Sequence, residues 1–242
     1  MTSIRVLALN GCIAGTQLNV MHKEMPFSLI DDLNIFFGGF PHAWCVSGGW
    51  AIDLFLGRKT RDRCDLDVSI FNPGHSDSVD FFLGKQWTIE GKDADGFRRI
   101  EHVSDLDEEI HYFWSFPIGA AFISEYTDNH GNRRISYNRE KQEALDYVEV
   151  FFDRFEDGEF VYRRNAGIRR SKEKSVIQKA EYAFLAPELV LLYKSKRVRP
   201  TDNLDLQVAL AEMDSEQRDW LRNALLIEYG KDHAWIRKLK NA

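Results

Sequence analysis

The sequence predicts a mixed α/β (α+β) fold, in which a sheet flanked by helices fills residues 1–165 and a smaller helical part fills 166–242. Three observations lead to it. A short apolar strand runs straight into a glycine turn and a helix between Ala43 and Leu56. Segments with the two-residue period of strands recur from Leu66 to Arg164, the clearest being Leu66–Phe71 and Tyr147–Arg154. From Pro187 onward the apolar spacing becomes helical. A chain of 242 residues is long enough to bury a substantial core. It shows no internal repeat and no low-complexity tract.

In chain order, Pro26–Phe37 reads as a helix, because Leu29, Ile30, Leu33 and Phe36-Phe37 recur at helical spacing and Gly38-Gly39 stop it. Ala43–Ser47 is a short strand. Trp50–Leu56 is a helix closed by Gly57, which can take the left-handed conformation of a C′ residue. Leu66–Phe71 is a strand ended by Asn72-Pro73-Gly74. His75–Leu83 reads as a helix. The middle, Trp87–Tyr137, reads as several strands, including Phe97–Val103 and Ala121–Tyr126, with a turn at Asn129–Asn132. Tyr147–Arg154 and Glu159–Arg164 read as a hairpin over Asp157-Gly158. Pro187–Lys196 is a helix with its proline in the first turn, and Asp202–Glu212 and Ser215–Tyr229 are two more, the last with Ser215 as N-cap.

Composition excludes several classes. Hydrophobic residues make up 44%, ordinary for a globular protein, and no apolar run has the length of a membrane span. A net charge of −6 argues against a broad nucleic-acid surface. Cys12, Cys45 and Cys64 form no metal-ligand spacing, and so sparse a set fits a reducing cytoplasm. Leu9-Asn10-Gly11-Cys12 has the look of a lipoprotein cleavage site, but the apolar run before it is too short, so the expected location is cytoplasmic. The seven histidines show no paired spacing, and no nucleophile elbow or P-loop pattern occurs.

The chemistry concentrates between Cys45 and Phe71. A strand entering Ser47-Gly48-Gly49 and then a helix leaves backbone N–H groups outward at the helix start, where phosphate oxygens bind. A tight strand-to-helix turn with no ligand would look the same. Asp65 and Asp67 are two apart in a strand, which puts both on one face with Ser69, while Leu66, Val68 and Ile70 turn to the core. Mutual repulsion on one face calls for a cation, and Mg²⁺ takes one or two carboxylates plus substrate phosphates. Two solvated aspartates are the alternative. The loop between carries Arg58, Lys59, Arg61 and Arg63; Thr60 and Arg61 are the favoured pair for a phosphate role, against a merely solvated loop. A third carboxylate is needed to complete the metal site or to take a proton. Glu149 interrupts an apolar strand, where an unpaired charge is costly. The alternative there is a cross-strand ion pair with Arg163 or Arg164.

These residues resemble the polymerase-β-like nucleotidyltransferase superfamily, and within it the aminoglycoside 2″- and lincosamide nucleotidyltransferases, which modify antibiotics. The likeness lies in Gly48-Gly49-Trp50-Ala51-Ile52-Asp53, Gly57, Thr60-Arg61 and Asp65-Leu66-Asp67, with a fainter one over Tyr182–Lys194 and at Asp202 and Asp205. The resemblance implies a nucleotidyltransferase-type sheet and two Mg²⁺ ions on Asp65, Asp67 and Glu149. It also implies ATP as donor, held by Ser47, Gly48, Gly49, Thr60, Arg61 and Lys194. AMP would pass to a hydroxyl of an aminoglycoside- or lincosamide-like small molecule. Acidic residues Asp105, Asp107, Glu108 and Glu109 could draw in a cationic acceptor, or form a solvated loop. Departures are Arg63 where the family has His, Cys64 where it has a small residue, Glu149 where it commonly has Asp, and Thr201 where a Lys often stands. The stretch Gly119–Glu143 looks longer than in the small relatives. Transfer to a protein or tRNA shares every motif, and a nucleotide-binding module without catalysis is the rival from another class.

Overall fold

The computed structural model describes residues 27–71, 75–92, 96–106, 110–138 and 140–240. Pro26, Cys12, the turn Asn72-Pro73-Gly74 and the acidic residues Asp107, Glu108 and Glu109 lie outside them. Thirteen strands and eight α-helices follow one another in the described chain. The first half contains α1 (Ser28–Phe36), β1 (Trp44–Val46), α2 (Gly48–Leu56), β2 (Asp67–Phe71), α3 (His75–Gly84), β3 (Trp87–Lys92), β4 (Phe97–Ile100), β5 (Tyr112–Pro117), β6 (Ile123–Thr127) and β7 (Arg133–Tyr137). Then come β8 (Val148–Asp153), β9 (Phe155–Glu156), β10 (Glu159–Val161), β11 (Arg169–Ser171), α4 (Lys172–Ser175), β12 (Val176–Lys179), β13 (Tyr182–Leu185), α5 (Pro187–Lys194), α6 (Pro200–Leu210), α7 (Ser215–Tyr229) and α8 (Ala234–Lys240).

Eight strands form one mixed sheet in the order β12-β13-β1-β2-β8-β5-β3-β4. The pairs β1–β13 and β2–β8 are parallel, and the other neighbours antiparallel. Such a mixed order needs helices on its faces to cover apolar side chains. Leu29, Ile30 and Leu33 of α1, Ile52 and Leu54 of α2, and Leu189, Leu191 and Leu192 of α5 share one buried cluster with Val68, Ile70 and Val150 of the central strands. A second, smaller cluster joins Phe97, Phe116, Ile135 and Tyr147 and seats the β6–β7 hairpin against the sheet.

Two expected connections differ. The turn at Asp157-Gly158 exists, with Asp157 and Gly158 both at positive φ, but it joins β9 to β10 in a separate three-stranded sheet with β11. The strand expected to pair across it, β8, lies between β2 and β5 in the large sheet. Alternation fixes which face a strand buries and leaves its neighbour open. The stretch after Asn165 is also not helical throughout. β12 and β13 extend the large sheet beside β1, and helices begin at Pro187. The polar run Lys172–Glu181 holds the short helix α4 and the edge strand β12, which pairs with β13 in a hairpin, and edge strands tolerate polar and charged side chains. The N-cap of α7 is Asp214, whose side chain accepts the Gln217 amide at 2.8 Å, one residue before the expected Ser215.

Candidate active site

Asp65 sits just ahead of β2, and Asp67 is its first residue. Strand alternation buries Leu66, Val68 and Ile70 completely and turns Asp65, Asp67 and Ser69 to the opposite face. Strand β8 runs parallel to β2 with Glu149 directly beside Asp67 in the register. The three carboxylates therefore converge, with one oxygen of each within 4.8 Å of the others. Their only hydrogen-bonding side chains among the described residues are phenols: Tyr147 Oη donates to Glu149 Oε1 at 2.8 Å and Tyr137 Oη to Asp65 Oδ2 at 3.4 Å. Arg163 and Arg164, the alternative partners for Glu149, turn elsewhere, toward His111 and toward the Tyr193 carbonyl and the Tyr162 hydroxyl.

So close a set cannot all carry charge without a cation. Burial, then the Asp65 charge, pushes the Asp67 carboxyl up to about 7, although Lys194, Arg199 and Arg63 pull the other way. Burial, with Asp67 and Asp65 beside it, raises Glu149 well above the ordinary range. An all-oxygen, multiply anionic donor set fits hard divalent cations such as Mg²⁺.

The glycine turn abuts this cluster. The Ser47 amide donates to the Asp67 carbonyl at 2.8 Å, which draws the start of α2 against β2. Gly48 takes φ +58°, and a Cβ there would lie 1.6 Å from Asp67 Oδ2, so only glycine lets turn and carboxylate coexist. Ser47 is the N-cap of α2, yet its side chain makes no cap bond; its Oγ is buried without a partner and borders the cleft. A buried hydroxyl left unpaired is costly, and a phosphate oxygen would satisfy it.

The basic loop does something other than line the cleft. Thr60 bonds Asp53 Oδ1 through its amide at 3.1 Å and its hydroxyl at 2.6 Å. Arg61 forks onto Asp205 at 3.2 and 3.1 Å. Arg63 is fully buried, bidentate on Asp53 at 2.9 and 2.8 Å and bonded to Asp205 at 2.9 Å. A Cβ on Gly49 would come 2.6 Å from Arg63 Nη1, so the turn rests directly on this guanidinium. Thr60 and Arg61 are thus placed off the cleft wall, tied to carboxylates beneath the turn. Lys194 does reach the cleft, 3.3 Å from Asp202 and 3.2 Å from Asp205.

A family model for aminoglycoside-2″-adenylyltransferase matches residues 34–111, the stretch that holds the glycine turn and both aspartates. The solution structure of the antibiotic-resistance factor ANT(2″)-Ia superposes with a TM-score of 0.51 at 16% identity, covering 84% of this chain and 91% of that one. The crystal structure of ANT(2″)-Ia in complex with adenylyl-2″-tobramycin gives 0.50 at 15% identity, covering 84% and 97%. The chain has the nucleotidyltransferase fold. The lincosamide antibiotic adenylyltransferase LnuA, lincomycin-bound, scores 0.49 at 12% identity over 77% of this chain and 97% of that one. Among curated proteins, none matches the sequence.

In this nucleotidyltransferase fold the carboxylates floor a cleft of about 1280 Å³. One wall is cationic: Lys194, Lys196, Arg197 and Arg199 follow one another from the end of α5 to the start of α6. Lys196, Arg197 and Arg199 were not singled out from the sequence, although the basic run right after Lys194 marks them. Farther along β8, Asp153 lies buried and accepts hydrogen bonds from Ser69 and Tyr193, both at 2.7 Å. Burial raises its carboxyl while these two donors hold it down. Tyr137 closes the other side from the β6–β7 hairpin. Asp105 caps a short 3₁₀ turn, accepting the Glu101 and His102 amides at 3.0 and 2.9 Å.

Proposed function

We propose that this chain transfers AMP from ATP to a hydroxyl of a small molecule, an aminoglycoside- or lincosamide-like antibiotic, with release of pyrophosphate. The observation that carries the reading is the contact of the glycine turn with the Asp65–Asp67–Glu149 cluster, which juxtaposes a phosphate cradle and a divalent-cation site. Two Mg²⁺ ions bound there would stabilise the attacking and leaving oxygens of an in-line displacement. Asp65, Asp67 and Glu149 hold them. Ser47, Gly48 and Gly49 receive phosphate oxygens at the start of α2. Lys194 and Arg199 offset the charge of the departing pyrophosphate. The acceptor oxygen forms its bond to the α-phosphorus as the bond to the bridging oxygen breaks. The hydroxyl proton passes to solvent, through Glu149 where that carboxylate acts as base rather than only as a metal ligand.

Residues 1–165 supply the turn and the carboxylates; 166–242 supply Lys194 and Arg199, so catalysis needs both parts. Thr60 and Arg61 serve the nucleotide indirectly, by fixing the loop under the turn. The sparse cysteines of the sequence support work in the cytoplasm; among the described residues no helix is long and apolar enough to cross a membrane. The cationic cleft wall gives some support to a second reading, a tRNA or protein acceptor.

A pyrophosphate-release screen with Mg²⁺ and ATP against tobramycin, lincomycin and tRNA tests the proposal. Release with an antibiotic, a mass gain of one AMP unit on it, and loss of turnover in Asp67→Asn are expected. Full turnover in Asp67→Asn would sink the metal assignment, and release with tRNA alone would favour the second reading.

A further inference from the structure

We infer that Tyr137 contacts the acceptor and sets its specificity, seating a sugar-like ring on the wall formed by the β6–β7 hairpin. The inference rests on the nucleotidyl-transfer reading above and adds the side from which the acceptor comes.

In-line displacement requires the attacking oxygen to approach the phosphorus opposite the leaving group. The leaving pyrophosphate has its anchors on one side of the carboxylates. Ser47 and Gly48 lie toward β1, and the charges of Lys194 and Arg199 are felt at Asp67. The hairpin stands on the other side. Its Arg133 is bidentate on the fully buried Glu90 of β3, at 2.5 and 3.0 Å, and Arg99 of β4 bonds the same carboxylate. The sheet order places β1 and β3–β4 on opposite flanks of the β2–β8 pair. What faces an incoming hydroxyl is therefore Tyr137, with its Oη 3.4 Å from Asp65 and its ring packed 5.0 Å from that of Tyr147.

This wall is mainly aromatic, with Tyr137 and Tyr112 and the cation Lys92 of β3. A phenol ring that borders the cleft, its hydroxyl already bonded to Asp65, suits the apolar face of a polyhydroxylated ring. The hairpin lies in Gly119–Glu143, beyond the residues that the family model matches. Rigidity comes from Glu90 and from the small cluster of Phe97, Phe116 and Ile135, so the phenol is held in place before any ligand arrives.

The test separates donor from acceptor. Binding of the Mg²⁺ complex of the ATP analogue with a methylene between its α- and β-phosphates is measured by calorimetry. Steady-state pyrophosphate release is measured with tobramycin and with lincomycin. Relative to Tyr137→Phe, which keeps the ring but has already lost the bond to Asp65, Tyr137→Ala should leave analogue affinity within about twofold and lower kcat/KM for the acceptor by about tenfold or more. On that comparison, a loss of analogue affinity of about tenfold, or an unchanged acceptor kcat/KM, would overturn the assignment. So would a wild type that binds the analogue yet uses neither sugar-bearing acceptor. A wild type that does not bind the analogue would instead defeat nucleotidyl transfer itself, and the first titration reads that.

Discussion

At Asp67 a side chain has been placed where its own charge is unwelcome. Its carboxyl is raised from 3.8 to about 7 by burial and by Asp65, so between those pH values the folded protein binds more protons than the unfolded chain. The sign follows: without metal, stability falls as pH rises through that window. Melting in EDTA should show the midpoint dropping from pH 5 to pH 8, with Mg²⁺ restoring more at pH 8 than at pH 5. A flat profile, or equal rescue at both, would mean that the carboxylates do not repel in the metal-free protein. Asp65, Asp67 and Glu149 were legible in the sequence because each breaks an apolar strand pattern on the same face. Thr60 and Arg61 were not, because a basic loop reads alike whether it meets phosphate or buried carboxylates. The partner that decides between these, Asp205, lies 144 positions from Arg61. Tyr137 and Tyr147 carried no signal beyond their aromatic character, since tyrosine is as common in a core as at a site.

Helices α2, α5 and α6 are joined through charge rather than through apolar contact alone. Asp205 of α6 takes Arg61, Arg63 and Lys194, while Asp53 of α2 takes Arg63 and Thr60. Burial works to raise the Asp205 carboxyl, but the hydrogen bond from Arg61 and the charges of Arg63 and Lys194 bring it to about 2. Its contribution is thus present above the ordinary value of 3.8 and is lost as pH falls toward 2. Removing one partner leaves the others buried and uncompensated, which costs about 3–5 kcal/mol. Arg63→Ala should lose that much unfolding free energy in urea titration at neutral pH; a loss under about 1 kcal/mol would mean the network is solvated and does not hold the turn. The strand–turn–helix around Gly48 was legible because glycine, apolar spacing and the Gly57 stop agree, and Gly57 takes φ 69°. The placement of β8 was not, since the Asp157-Gly158 turn is a local signal and the β2–β8 pairing joins residues more than eighty positions apart.

Across the whole molecule, the sheet order converts sequence-distant segments into one cleft. β1 and β2 bring the turn and two carboxylates, β8 brings the third, β13 leads into α5 and its lysine, and the β6–β7 hairpin closes the far side. The expectation of strands followed by helices was right in kind. Two strands beyond Asn165 still belong to the sheet, because a parallel partner for β1 needs a long crossover that local spacing cannot foresee. The central claim is that this cleft binds two divalent cations with a nucleotide. Titration of Mn²⁺ into the protein in the presence of the methylene ATP analogue, followed by electron paramagnetic resonance, tests it without knowledge of the acceptor. The account predicts two bound ions per chain and, in a folded Asp67→Asn variant, binding weakened by about tenfold or more. Binding that is absent in the wild type, or unchanged in Asp67→Asn, would contradict it.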